Sequence, residues 1–436
     1  MNFFRIAEHN TTIGREVTAG LVTFMTMAYI VLVNPLILAG AGMPKAAVVT
    51  ATCLGACVPT LLMGLWANYP LALASGMGLN AALVFQASQP GMTWQTMMGV
   101  VIVEGALVTI LVLTGVRESV MRAIPLPLKQ AIAIGIGLFI AFLGLQQMGW
   151  VAQGQGGAFL SPGHLANPTA IIATLGLLLM MALLHFRVPG AILWGIIGAT
   201  ALAWCGGLLF PTRIALVKHP DQLLSWPDFS TLGQADVRGA LAPSLLGVVF
   251  AFLITDFFDT MGTVIAVGFQ AGLLDKEGHL PRLNRVLAVD SLAAIWGGFC
   301  GASSVTTYIE SAAGVSAGAR TGLSSVVVGA LFLCTMFLAP IITMVPAAAA
   351  GPALVIVGFM MIGLMREMDF SSPADAVPAV LTVLLIPLSQ SIAYGIGLGI
   401  LLTALARILT GRVRGESPWL FLFAALFAWH FAFAHP

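Results

Sequence analysis

Residues 17–39 carry no charged side chain, and segments of this kind recur along the whole chain. An α-helix needs about 20 mostly apolar residues to cross a bilayer. Stretches close to that requirement lie at 17–39, 46–67, 70–87, 94–115, 124–148, 168–186, 189–210, 242–270, 286–301, 303–317, 322–345, 351–365, 374–389 and 391–410. Of these fourteen, 70–87, 286–301, 303–317 and 374–389 are short for a full crossing. A further apolar stretch, 419–433, follows Arg407, Arg412 and Arg414, and reads as a tail helix lying on the membrane rather than through it.

Only 8% of the 436 residues are charged, too few to coat a soluble domain, where about a quarter would be expected. The net charge of +1 and the absence of a basic run exclude a nucleic-acid partner. The five cysteines lie within apolar stretches without disulfide or zinc-ligand spacing, and read as small buried hydrophobes.

Placing the N-terminus in the cytoplasm and alternating sides puts 14 of the 18 Lys and Arg residues inside and four outside (Lys45, Arg213, Lys218, Arg238). That bias is the positive-inside pattern of a cell-membrane protein. The long outer loop 211–241 then separates seven helices (1–210) from seven more (242–411), with 412–436 as the apolar tail. An odd number of crossings per half forces the second half to enter from the opposite side, which makes a 7+7 inverted repeat.

The third segment of each half is anomalous in the same way: 68–80 reads NYPLALASGMGLN and 301–314 reads GASSVTTYIESAAG. Both are short, rich in small residues, and polar at membrane depth. Irregular backbone survives there only where protein or a cavity receives its polar groups, so these segments are the best pointer to a binding site.

Acids at membrane depth are Glu104, Asp256, Asp259 and Glu310, with Asp290 and Asp375 nearer segment ends. No Lys or Arg lies deep in a span to neutralise them, although a charge at the bilayer centre costs at least ~2.5–3.5 kcal/mol. Such carboxyls suit proton coupling, cation coupling or binding of a polar solute; a helix-to-helix hydrogen bond is the plainer alternative. Asp256 and Asp259, at i and i+3, share a helix face with Thr263 one turn on. Asn80 could equally be interhelical glue, and Asp290 could simply anchor its helix end. No phosphate-binding loop or metalloprotease motif is present, no G-x-G-D accompanies the aspartates, and Ser303 has no histidine in a later confident span to serve as its base. An enzyme and ATP-driven transport find no support, and no cofactor is called for.

The stretches GLVTFMTMAYIVLVNP (20–35), NYPLALASGMGLNA (68–81), IGIGLFIA (134–141), DFFDTMGT (256–263), SSVTTYIESAAG (303–314) and RTGL (320–323) resemble, in order, the nucleobase–ascorbate transporter superfamily, and within it the AzgA-like adenine/guanine/hypoxanthine permeases. Ser75 departs from the proline that many relatives carry before Gly-Met-Gly. The resemblance implies an all-α polytopic fold of about 14 helices with core and gate domains. It also implies broken third and tenth helices whose short strands meet near mid-membrane. It places substrate binding at Glu310, Asp259, Asn80 and Thr263, with Gly78, Leu79, Ile309 and Ser311 beside them, and proton coupling at Asp259, Glu310 and Asp256. The implied partners are a purine nucleobase, protons, membrane lipid and a second copy in a homodimer. The same fold could instead carry uracil, xanthine or another small polar solute. Phe257, Phe258 and Tyr308 are candidates for an apolar wall against a flat ring.

Overall fold

The computed structural model describes residues 3–89, 91–114, 125–153, 160–209, 222–271, 282–389, 391–413 and 416–433. Its long elements, in chain order, begin with α1 (Ile13–Met27), α2 (Ile30–Leu38), α3 (Lys45–Leu62), β1 (Leu73–Ser75), α4 (Met77–Ala87) and α5 (Trp94–Leu113). There follow α6 (Leu126–Gln147), β2 (Val151–Gln153), β3 (Leu160–Pro162), α7 (Pro168–His185) and α8 (Ala191–Leu209). The later part holds α9 (Leu246–Gln270), α10 (Leu283–Cys300), β4 (Val305–Thr307), α11 (Ser311–Ala317), α12 (Gly322–Thr335), α13 (Ala347–Ile362), α14 (Pro373–Ser389), α15 (Ile392–Leu409) and α16 (Pro418–Phe433).

Six helical stretches among the described residues are long and apolar enough to cross a membrane: Ile13–Ala41, Lys45–Ala67, Trp94–Leu113, Leu126–Gln147, Pro168–His185 and Gly322–Thr343. The 20 residues of α5 rise about 30 Å, which matches a hydrocarbon core. The α-helical pattern of the first stretch is interrupted at Ala28 and Tyr29, between α1 and α2. Thr26 donates its hydroxyl to the carbonyls of Val22 and Thr23 just before the interruption, and Pro35 supplies no N–H just after it. Both loosen the regular backbone ladder there.

Packing sorts the helices into two groups. In one, α1 lies on α11 and α12, α3 on α12 and α10, and α5 on α10 and α9. In the other, α6 lies on α13 and α14, α7 on α8 and α13, and α14 on α15. The groups meet where α4 and α9 touch α6 and where α9 touches α15. The tail helix α16 packs against α15 and α9, with Phe423 and Phe427 against Phe250. Its 16 residues rise only about 24 Å, short of a full crossing.

Loop contacts fix which helix ends lie together. At one end, Glu16 accepts from the amides of Arg320 and Thr321, and Asn68 accepts from Gly322. There also, Arg282 and Arg285 donate to the carbonyls of Ala67 and Trp66. At the other, the segment 222–241 reaches Thr50, Gln95, Cys300 and Phe337. The start of α1, the end of α3 and the starts of α10 and α12 therefore share one side, as the alternation expected from the sequence requires.

Two readings need correction. Cys205 and Cys334 are exposed on the outer surface, so only Cys53, Cys57 and Cys300 are buried hydrophobes. Asp290 does not anchor a helix end: α10 starts at Leu283, which carries Asp290 about two turns inward, where it is 1% exposed. Asp375 is bound by Arg407 at 2.5 Å, and Arg407 also meets Glu416 at 2.8 Å. That ion pair ties the start of α14 to the end of α15. Asp259, Phe257 and Phe258 lie on α9, but their side chains fall outside the described residues, as do Arg117, Arg122, Arg213, Lys218, Lys276 and Arg414 entirely.

Candidate functional site

The two anomalous segments meet. β1 and β4 pair antiparallel in the register Leu73 with Thr307, Ala74 with Thr306 and Ser75 with Val305. Both strands are buried throughout. A two-stranded ribbon leaves edge N–H and C=O groups unpaired, and inside a bilayer each must find a partner. Helix side chains supply them. Thr60 on α3 accepts from the Leu73 amide at 2.9 Å and donates to its carbonyl at 3.1 Å. Ser311 accepts from the Ala72 amide at 3.0 Å, and Ser325 on α12 donates to the carbonyls of Tyr69 and Leu71. Asp290 on α10 accepts from the Thr307 amide at 3.1 Å.

The chain enters the second strand through Gly301 at φ 84° and Ser303 at φ 74°. The first is cheap for glycine; the second is uncommon for a residue with a Cβ and marks stored strain beside the ribbon.

On the first side of the crossing, the polar groups are neutral and mutually satisfied. Asn80 donates to Asn34 at 2.6 Å and to Ser75 at 2.9 Å, and Asn34 donates to Thr52 at 2.9 Å and to the Ala302 carbonyl at 3.2 Å. Ser75 donates to the Ala302 carbonyl as well. Asn80 is 0% exposed with both its amide hydrogens used, so in this conformation it holds β1 in place. Gly78 presses on α6, where a methyl group would overlap Ile136, and Leu79 is buried beside it. Tyr308 donates its hydroxyl to the Ser75 carbonyl and its amide to Ala72, so it clamps the first strand in addition to offering a ring face.

On the second side the groups are acidic. Glu310 begins α11 and is only half-buried, while its neighbour Ile309 is 45% exposed. By contrast Glu104, Asp256 and Asp290 are each 0–1% exposed. Of these carboxyls, Glu310 is the one that reaches accessible space. Tyr29, at the interruption of the first stretch, donates its hydroxyl to Glu310 Oε1 at 2.7 Å, which orients the carboxyl and leaves its other oxygen for a further donor. Behind the ribbon, Thr260 donates to Asp290 at 2.6 Å and lies 2.9 Å from the Thr306 hydroxyl, and Ser304 donates to Asp256 at 3.2 Å. Thr263 is buried on α9.

The structure thus gathers Asn80, Gly78, Leu79, Glu310, Ile309 and Ser311 around one strand crossing. Tyr29, Asn34, Thr260, Ser304 and Thr306 have no role in the sequence reading. A signal for Tyr29 was present, because the chain has only four tyrosines and this one stands within an apolar run. No cluster of metal-ligating residues occurs among the described residues.

Residues 14–423 match a sequence family described as the Permease family. The chain is 40% identical to the adenine permease AdeP of Escherichia coli over 97% of this chain and 94% of that one. It is 41% identical to the guanine/hypoxanthine permease PbuO of Bacillus subtilis over 97% and 98%. In fold it is similar to the transmembrane domain of the cyanobacterial bicarbonate transporter BicA, with a TM-score of 0.64 at 15% identity over 87% of this chain and 96% of that one.

Proposed function

The chain belongs to this permease family, the nucleobase–ascorbate transporters, as a multi-pass membrane transport protein and not an enzyme, and from that membership we propose that it is a proton-coupled symporter importing purine nucleobases such as adenine, guanine or hypoxanthine. The observation that carries the reading is Glu310: a half-buried carboxyl, oriented by Tyr29, at the crossing of two strands held by the first helix group. A purine offers ring N–H donors beside ring acceptors. A carboxylate accepts from the donor edge, and the backbone N–H groups at the start of α4 carry no intrahelical bond and can meet an acceptor. A site built to pair polar groups rejects analogues that leave them unpaired. In this reading Glu310, Asp259 and Thr263 bind the base. Asn80 shapes the site through β1, while Gly78, Leu79, Ile309 and Ser311 form its walls. Asp259, Glu310 and Asp256 are the coupling acids. The names of the two curated relatives support a purine as the solute.

The architecture proposed with it is 14 crossings in a 7+7 inverted repeat (1–210 and 242–411), joined by the outer loop 211–241 and followed by the tail 412–436. Packing supports the repeat, because contacts come in exchange-related pairs. α3 on α12 mirrors α10 on α5, α6 on α14 mirrors α13 on α7, and α7 on α8 mirrors α14 on α15. The self-related pairs α6 with α13 and β1 with β4 lie where a pseudo-twofold axis would pass. The first helix group is the core and the second the gate. A cytoplasmic N-terminus in the inner membrane, lipid contact around the helices and a homodimer complete the reading.

The test is uptake of labelled adenine, guanine and hypoxanthine in cells stripped of their own permeases, with and without a proton uncoupler. Uptake of at least one base, lost on uncoupling, is expected. Absence of uptake for all three sinks the purine reading, and uptake indifferent to the uncoupler sinks the coupling.

A further inference from the structure

Behind the strand ribbon, away from Glu310, three acids from three helices converge: Glu104 on α5, Asp256 on α9 and Asp290 on α10. Their hydrogen bonds are unequal. Asp290 accepts from the Thr260 hydroxyl and the Thr307 amide. Asp256 accepts from Ser304. Glu104 is 0% exposed, and neither of its oxygens has a donor among the described residues. Its polar neighbours are the other acids: Asp256 stands within side-chain hydrogen-bonding reach, and Asp290 is near enough to act on it electrostatically.

Two carboxylates hold four acceptor oxygens and no donor. Facing each other, they bond only if one carries a proton. Glu104, which has no other donor among the described residues, is the one that holds it. Nor can the side chain swing away to solvent. Gly105 lies so close to Ala294 and Ile295 that a methyl group there would overlap them, and Gly298 approaches Met98 and Ile102 equally tightly. The carboxyl is locked into the seam of α5 and α10.

Among the described residues, no cation offsets the cluster from an element packed on α5. α10 brings Asp290, with Arg282 and Arg285 at its far start; α9 brings Asp256 and carries Asp259 three residues on; α4 contributes no charged residue. The short helix Val237–Ala240 brings Asp236 and Arg238, but it docks at Gln95, about 13 Å along the axis from Glu104.

We propose that Glu104 is a proton-holding residue, sharing a proton with Asp256 and delivering it to the strand-side hydrogen-bond chain through Ser304. Loss of the proton leaves two facing negative charges inside the seam, which drives α9 and the strand ribbon apart from α5. Proton occupancy at Glu104 thereby sets the position of the element that also carries Asp259 and Thr263. The proposal rests on the transport reading above and adds a residue outside the purine site.

Glu104→Gln is the test, because its amide donates to Asp256 as a protonated Glu104 would but cannot release a proton. In proteoliposomes, E104Q should keep purine counterflow exchange and lose gradient-driven accumulation, by a factor within the usual 5–150-fold range of coupling between sites. In infrared spectra at neutral pH, the purified wild type should show a protonated-carboxyl band that is absent from E104Q and shifted in Asp256→Asn. Accumulation by E104Q at the wild-type level, accumulation that follows a sodium gradient instead, or a wild type without the carboxyl band overturns the proposal. The infrared arm decides the matter even if E104Q does not reach the membrane. A wild type that neither binds nor exchanges a purine would be a failure of the transport reading alone.

Discussion

The two broken segments share a backbone plan and differ in chemistry. Each runs from a helix end through a three-residue strand into a new helix, and the strands pair with each other. Around the first, Asn34, Ser75, Asn80 and Thr52 form a neutral network with both Asn80 amide hydrogens used. Around the second stand Glu310, Asp256 and Asp290, of which Glu310 reaches accessible space. The first segment is surrounded by neutral amide and hydroxyl bonds, and the second by carboxyls. Neutral amide pairs suit a frame because they hold the same bonds at every pH. Carboxyls suit a coupling element because their bonds change with one proton.

The comparison breaks most sharply at Glu310. Glu310→Gln, and Asp259→Asn with it, should lower purine binding by about a hundredfold, near the ~3 kcal/mol typical of truncating a buried charged pair, while the protein still reaches the membrane. Isothermal titration on purified protein checks this, and near-normal affinity in either variant refutes that residue's role. On the frame side the expected loss is of stability. Asn80→Ala leaves the Asn34 side-chain carbonyl without its donor, while Asn34 keeps Thr52 and Ala302 and Ser75 keeps Ala302, and should cost about 1–3 kcal/mol, read as a lowered thermal midpoint with affinity falling alongside. A variant that loses affinity at unchanged stability would put Asn80 in contact with the base. The smallest effect belongs to Tyr29→Phe, which removes one hydrogen bond to a carboxyl but keeps the ring. Weakening by about tenfold is expected, in line with ~1.5 kcal/mol for a bond to a charged group. An unchanged affinity would show that Tyr29 does not orient Glu310.

The frame was the harder half to read from sequence. Asn80 and Ser75 are quoted in the motif, but Asn34 sits in an apolar run 46 residues earlier, and nothing in the spacing says that the two amides meet. Tyr29 and Glu310 are separated by 281 positions and bond only because α1 packs beside α11. Asp290 was misplaced because its depth depends on where α10 starts, a boundary that an apolar pattern locates only within a few residues.

The sequence by itself determined that the chain is helical and membrane-embedded, where its apolar segments lie to within a few residues, and that two matching segments are irregular. Those properties follow from local facts: a bilayer tolerates only apolar runs of sufficient length, and glycine and hydroxyl side chains interrupt them. It also named Glu310, since a lone acid in an irregular apolar segment is conspicuous. Only the tertiary structure decided which acids are exposed and which are sealed. Glu104, Asp256 and Glu310 look alike in sequence, yet one opens to the strand crossing and two face each other behind it. That difference is made by contacts between helices distant along the chain, and the energy of a buried carboxyl depends on the donors those contacts bring to it.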